Sequence, residues 1–230
     1  MNKILLLFLA VMSIFSCTPQ ESPDTFTDSR DGHVYKTVTI GSQVWMAENL
    51  AYLPEISPAS YSYTEPYYYI NGYNGTSLGE AVLTDNYRTY GVLYNWSAAM
   101  NGAASSEDNP SDVQGICPTG WHLPSDAEWT ILIDYLGGED VAGGKMKETG
   151  TSHWFSPNTG ATNSSGFTAL PGGNRNIGGF VGIGIRGCWW SSTEYDSLNA
   201  WCSSLYCADS EVCASVSSKG SGHSVRCIRD

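Results

Sequence analysis

The chain has 230 residues, of which only 15% are charged, and a formal net charge of −12. So acidic a balance excludes nucleic-acid binding and excludes docking on an anionic membrane face through basic residues. Gly, Ser, Asn, Tyr and Trp are abundant, which suits a loop-rich exported domain.

Residues 1–16 read as a signal peptide: one lysine, then an apolar run from Ile4 to Phe15 that is too short to span a bilayer. The sequence Ile14-Phe15-Ser16-Cys17 is similar to a bacterial lipobox. Cys17 is therefore expected to be acylated and to anchor the protein without a transmembrane helix. The alternative is an ordinary secretory signal with Cys17 an incidental thiol. Thr18, where an inner-membrane protein would carry Asp, points to the outer membrane and leaves open whether the domain faces the cell surface or the periplasm. Residues 17–27 read as a polar tether, and residues 28–230 as one domain.

Within the domain, Val34, Lys36, Val38 and Ile40 alternate with His33, Tyr35, Thr37 and Thr39; Gly41-Ser42 turns, and Val44-Trp45-Met46 returns as the second arm of a hairpin. Ser57 to Glu80 has no period and is dense in Tyr, Ser, Asn and Gly, the composition either of a disordered excursion or of an adaptable contact surface. A short strand is expected at Tyr90–Tyr94, then a helix capped by Asn95 and closed by Gly102. Ser125-Asp126-Ala127-Glu128 is a capping box, and Trp129, Leu132, Ile133 and Leu136 follow at helical spacing up to Gly137-Gly138. A shorter helix is expected over Val141–Glu148. In the glycine-rich segment from Asn163 to Gly187 only Phe167–Leu170 reads as a strand, the rest as turns. Several strands then complete the chain.

Of seven cysteines, six remain besides Cys17. An even number in an exported chain suggests disulfides, and six allow fifteen pairings. Cys188 and Cys202 are symmetric about Tyr195 in a turn-like stretch, and Cys207 and Cys213 about Ser210. Opposed positions on antiparallel strands approach disulfide range, so these two pairs are expected as hairpin staples. Cys117 and Cys227 are then left to close the longest loop. The competing expectation is that some of the six stay free and buried.

Six motifs in order, DSRDGHVYKTVTIGSQVWMAENL, YGVLYNWSAAM, ICPTGWHLPSDAEW, GFTALPGGNRN, WWSSTE and GHSVRCIRD, resemble the Fibrobacter succinogenes major paralogous domain, a family of exported proteins of Fibrobacter and Bacteroidetes relatives. The resemblance runs from Asp28 to Asp230. It implies an α+β, C-type lectin-like fold: small twisted antiparallel sheets, two or three short helices and long disulfide-stapled loops. It implies also that the hairpin at 33–46 lies near Ser224–Ile228, with Cys227 close to Cys117. The family usually carries aromatic residues at positions 188, 202, 207 and 213, where this chain carries cysteine.

Catalytic and metal motifs are sparse. His122 reads as a buried structural histidine rather than a base, and His33, His153 and His223 have no partner at a diagnostic spacing. The calcium-binding triplets common in lectin-like domains are absent, although WWSSTEYD and SSEDNPSD offer oxygen ligands; no cofactor is expected, with calcium the one weak exception. The expected function is non-catalytic, a lectin-like module binding a glycan or an envelope protein through a face made of Tyr67, Tyr68, Tyr69, Tyr73, Asn174, Arg175, Glu194 and Tyr195. The alternatives are a structural or adhesion-assembly subunit and, remotely, a copper/cysteine oxidase related to formylglycine-generating enzymes, for which Cys202 and Cys207 would have to pair.

Overall fold

The structure is a computed structural model describing residues 24–58 and 60–230, so the expected signal peptide, Cys17 and most of the expected tether lie outside the described residues. The described chain begins with β1 (Thr25–Thr27), which pairs antiparallel with β2 (Val34–Ile40). By composition residues 25–27 belong to the tether, but the Phe26 ring packs 5.2 Å from that of Trp121 and draws the strand into the fold. Along β2, Tyr35 and Thr37 are buried while Val34 and Lys36 are exposed, as the alternation predicts; at the turn end the phase reverses, with Thr39 exposed and Ile40 buried. The turn at Gly41 leads into β3 (Gln43–Met46).

Next come β4 (Tyr68–Tyr69), α1 (Leu78–Ala81), α2 (Asp85–Tyr90), β5 (Leu93–Tyr94) and α3 (Trp96–Met100). The helices α1 and α2 replace the end of the expected excursion and the start of the expected strand at Tyr90. Each begins on a hydroxyl cap, Ser77 accepting from the Glu80 amide and Thr84 from the Tyr87 amide. Then follow β6 (Trp121–His122), α4 (Asp126–Tyr135) and α5 (Glu139–Met146). The capping box of α4 is formed: Ser125 Oγ accepts from the Glu128 amide, and the Glu128 carboxylate accepts from the Ser125 amide at 2.9 Å. The chain ends with β7 (Gly172–Asn176), β8 (Gly179–Ile183), β9 (Arg186–Glu194), β10 (Asn199–Tyr206), β11 (Cys213–Ser218) and β12 (Ile228–Arg229). The expected strand at Phe167–Leu170 is reduced to a single bridge from Ala169 to Lys147, because Thr168 takes a positive φ of 53° that breaks the extended run. The strands β7 and β8 form instead where turns are expected. There Gly173, at φ 66°, lies so close to the Val181 carbonyl that a side chain has no room.

The strands make two five-stranded sheets, ordered β1-β2-β3-β12-β6 and β11-β10-β9-β7-β8, and a short β4-β5 ladder. The result is a mixed α+β architecture with few helices and curled sheets. The last strand, β12, lies between β3 and β6, with Ile228 opposite both Trp45 and His122, so the N-terminal hairpin and the C-terminal segment are neighbours. Two apolar cores form. Trp190 and Cys202 belong to the first, with Tyr35, Trp121 and Val225. Trp189 and Leu205 belong to the second, with Trp45, Trp129 and Phe167. Successive residues of a strand point to opposite faces, so the consecutive tryptophans of β9 supply one side chain to each core.

Among the described residues one disulfide is formed, Cys117–Cys227, across 110 residues. A loop of that length stabilises by about 4–5 kcal/mol in the chain-entropy picture. Cys188, Cys202, Cys207 and Cys213 are unbonded, which corrects both hairpin pairings. A bulge between Ala200 and Cys202 shifts the β9–β10 register, so Cys188 faces Ser204 and Cys202 faces Trp190. On the other side of β10, Cys213 faces Ser204, and Cys207 lies beyond the end of the strand.

Two buried cationic groups tie the C-terminal segment down. Arg226 has no exposed surface. Its guanidinium donates to the Phe167 carbonyl, to Asn49 Oδ1 at 2.9 Å and to the Thr168 carbonyl at 3.4 Å, and it stacks on the Phe167 ring with a 4.1 Å centroid distance. His122 lies between two carboxylates, Nε2 2.8 Å from Glu128 Oε1 and Nδ1 2.8 Å from Asp230 Oδ1. Burial works against its charge, but the two carboxylates outweigh burial and raise its pKa.

Three outcomes follow from this arrangement. Arg226→Ala leaves the Phe167 and Thr168 carbonyls without a donor and opens a void, and is expected to cost about 4 kcal/mol in urea unfolding. Alkylation of the unreduced chain and peptide mapping should label Cys188, Cys202, Cys207 and Cys213 and recover one cross-linked peptide joining Cys117 to Cys227. Because the His122 pKa is raised on folding, its stabilisation is fully present below the unfolded value of about 6.5 and fades as pH rises through the folded one. The stability gap between wild type and His122→Asn should therefore narrow on going from pH 6 into the alkaline range, as read from thermal melts.

Candidate functional site

The eight residues expected to form a contact face do not form one. Tyr68 is buried and packs against Tyr94 in the first core. Tyr69, Asn174 and Arg175 do come together, but as an interior cluster: each is at least nine-tenths buried, and the Arg175 guanidinium sits 4.5 Å over the Tyr69 ring. Asn174 Oδ1 accepts from Arg186 and is also committed. Tyr73 is half-buried and spends its hydroxyl on its own loop, donating to the Ser77 carbonyl at 3.0 Å and lying 3.1 Å from Glu80 Oε2. Tyr67 is half-buried, while Glu194 and Tyr195 are exposed. The period-free Ser57–Glu80 stretch gave no sign of which tyrosines point inward, since burial there is set by contacts far along the chain.

Glu194 and Tyr195 do lie beside a groove. Its floor is α3, which starts at the buried Asn95. The Asn95 side chain does more than cap the helix. Its Oδ1 accepts from the amides of Ala98 and Tyr67, and its Nδ2 donates to the carbonyls of Ser62 and Glu65 at 2.9 and 2.7 Å. One amide thus fixes the Ser62–Tyr67 part of the aromatic loop onto the helix, and Ser97 Oγ adds a bond to the Thr64 carbonyl. From the other side Lys219 fixes the β9–β10 hairpin. Its Nζ pairs with Glu194 at 2.8 Å, donates to the Ser197 carbonyl at 3.3 Å and stands 4.5 Å over the Trp96 ring. The backbone follows the same path, with the Lys219 amide donating to Leu198 and the Trp96 amide to Lys219.

The groove so enclosed has a volume of about 300 Å³ and is lined by Tyr63, Thr64, Trp96, Ser97, Ser197 and Lys219, among others. Tyr63, an exposed aromatic side chain edge-on to Tyr61, belongs to the lining, and the exposed Tyr195, edge-on to Trp201, stands on the hairpin that Lys219 holds. Flat apolar faces, small hydroxyls and a paired charge in a cleft of this size suit a small ligand with both C–H and O–H surfaces. Asn95 was legible as a cap and Lys219 carried no signal; the additional partners of both lie tens of residues away.

The one histidine–serine contact, His223 Nε2 to Ser217 Oγ at 2.7 Å, joins a histidine whose pKa is pushed down to about 3 by burial and by Arg186, so the ring is a weak base. Burial raises the pKa of the Cys188 and Cys202 thiols, which disfavours the nucleophilic thiolate. Cys202 sits in the first core and Cys207 against the second, so these two cysteines are not brought together. Among the described residues no group of three or more His, Cys, Asp or Glu side chains is placed to hold a metal ion. In the WWSSTEYD loop, Glu194 is engaged by Lys219, and Asp196 accepts from the amides of Leu198 and Asn199 in its own turn.

Among the described residues no helix is long and apolar enough to cross a membrane. Comparison with curated proteins and with solved structures gave no match. The Fibrobacter succinogenes major domain matches residues 38–229, which spans β2 to β12 and both cores. The chain belongs to the Fibrobacter succinogenes major domain family.

Proposed function

We propose that this protein is a non-catalytic lipoprotein, acylated at Cys17 and held at the outer membrane, whose C-type lectin-like domain binds a glycan in the groove above Trp96. The observation that carries this reading is the convergence of two irregular segments, Ser62–Tyr67 and Glu194–Leu198, around one aromatic floor, each fixed by a single buried side chain, Asn95 or Lys219. The lectin-like assignment rests on the curled sheets, the few short helices, the meeting of both ends of the domain at β3 and β12, and the long-span disulfide. A weakly basic His223 and buried thiols favour binding over catalysis. No cofactor enters the reading.

A second reading, an envelope-assembly subunit with a protein partner, draws on the edge strand β8. It carries no charge, and Val181 on it and Ile177 and Ile185 flanking it are exposed, Ile177 by 83%. Glycan-array binding of the natively oxidised full chain separates the two. Under the first reading the array shows saturable hits, and Tyr63→Ala and Tyr195→Ala each weaken them roughly tenfold while stability changes by less than about 0.5 kcal/mol. An empty array, or hits that both variants retain in full, removes the Trp96 groove as a glycan site and leaves the assembly reading.

A further inference from the structure

Two exposed, weakly paired cations of this acidic chain, Lys36 and Arg88, meet at one cavity. Most of its lysines and arginines have strong local engagements: Arg30 is paired with Asp28 at 2.6 Å, Lys219 with Glu194 at 2.8 Å, and Lys147 is buried on three backbone carbonyls. Lys36 and Arg88 differ. Their side chains are 69% and 58% exposed, and the nearest carboxylates, Glu48 and Asp85, stand at 3.8 and 3.7 Å, beyond hydrogen-bond distance. Pairs of this kind contribute little and yield readily to a competing anion.

Both residues line a cavity of about 250 Å³ bounded by β2, by residues 47–51, by the end of α2 and by residues 168–170. His33 lines it as well, 3.9 Å from Glu48. Behind the wall lies the buried Arg226, bonded to two lining residues, the side chain of Asn49 and the carbonyl of Thr168, with its Nε unpartnered. Glu48 is the one carboxylate in the lining. The lining thus carries two formal positive charges, Lys36 and Arg88, against one negative, Glu48, in a protein whose net charge is strongly negative. The rest of the lining is partly apolar, with Ala51 and Leu170, and partly hydroxylic, with Thr89.

We propose that this cavity binds an acidic sugar, a single uronic-acid pyranose whose carboxylate lies between Lys36 and Arg88. A carboxylate there takes charge-assisted hydrogen bonds from both side chains. Glu48 accepts hydrogen bonds from ring hydroxyls, which a bare anion does not offer, and it repels a dianion such as phosphate. Ala51 and Leu170 meet the C–H face of the ring, and the volume suits one ring rather than a chain. The site shares no residue with the Trp96 groove, so it stands whether or not that groove binds a glycan.

Titration of the full chain with D-galacturonate, D-galactose and acetate, followed by calorimetry and amide chemical shifts, tests this. Galacturonate is expected to saturate, with shifts centred on residues 33–36, 47–51 and 87–91, while galactose and acetate do not. Lys36→Gln and Arg88→Gln should each raise the galacturonate dissociation constant roughly tenfold. Because both side chains are exposed, their thermal melts should match wild type. Galactose binding as tightly as galacturonate overturns the role of the carboxylate. Acetate or phosphate binding as tightly overturns the sugar. Unchanged galacturonate affinity in both variants overturns the site.

Discussion

The guanidinium of Arg226 can be buried only if acceptors and aromatic faces reach it from several remote parts of the chain. The pieces are Asn49 after the first hairpin, Phe167 and Thr168 in the glycine-rich segment, and the Phe167 and Trp189 rings. No carboxylate is bonded to it, so the charge is solvated by backbone and amide oxygens and by two ring faces, with Nε left unpartnered, and a buried charge so held depends on keeping each of those partners in place. That requirement fixes the two sheets against one another, because Asn49 Oδ1 also accepts from the Trp189 indole at 2.8 Å, and Asn49 Nδ2 donates to the Tyr90 carbonyl and to Ser224. The residue next to Arg226 makes the disulfide, and the residue after that pairs with β3 and β6. Lys147 repeats the device on a smaller scale, its buried ammonium gathering the carbonyls of Thr159, Tyr206 and Asp209. In a chain with irregular connections and short strands, an internal cation does work that long hydrogen-bonded ladders do elsewhere.

What could be read from sequence was what local rules decide. The alternation at 34–37 and the capping box at Ser125 each depend on neighbours within a few residues, and both features formed as expected. The long-span disulfide was reached as well, since two cysteines at opposite ends of the domain were what remained and the family resemblance placed them together. The hairpin staples failed for a specific reason. Symmetry about a turn fixes partners only when the register is regular, and the bulge at Ala200 moves Cys202 opposite Trp190, two residues from where symmetry puts it. The β7–β8 hairpin was hidden because its glycines carry no side-chain alternation to read, although close backbone approach is what demands them.

The candidate site divides along the same line. Glu194 and Tyr195 sit on an exposed turn, and their local sequence sufficed to place them there. Tyr68 and Tyr69 belong to a run of similar residues, of which long-range packing selects some for the interior: Tyr68 faces Tyr94, and Tyr69 lies beneath Arg175. Composition could therefore mark the loop as contact-prone without saying which rings make contact. Asn95 and Lys219, the residues that shape the groove, are one ordinary cap and one ordinary lysine until the distant chain is brought to them.

This division bears on how the protein can bind anything. An irregular loop that must be ordered on binding loses much of its interaction energy to that ordering. Here the ordering is done in advance. Three hydrogen bonds at one amide hold the aromatic loop while a fourth caps the helix, and one ammonium holds the hairpin through a carboxylate and a carbonyl while standing over an indole face. The exposed side chains of Tyr63 and Tyr195 make none of these bonds, while Asn95, Lys219 and the two cores beneath them hold the frame. A family that retains the frame and exchanges such side chains can change ligands without a change of fold. The same logic sets the buried Arg226 apart from Lys36 and Arg88: the buried cation is structural because it is bonded to fixed carbonyl and amide oxygens, and the exposed pair is available because its nearest carboxylates stand beyond hydrogen-bond distance.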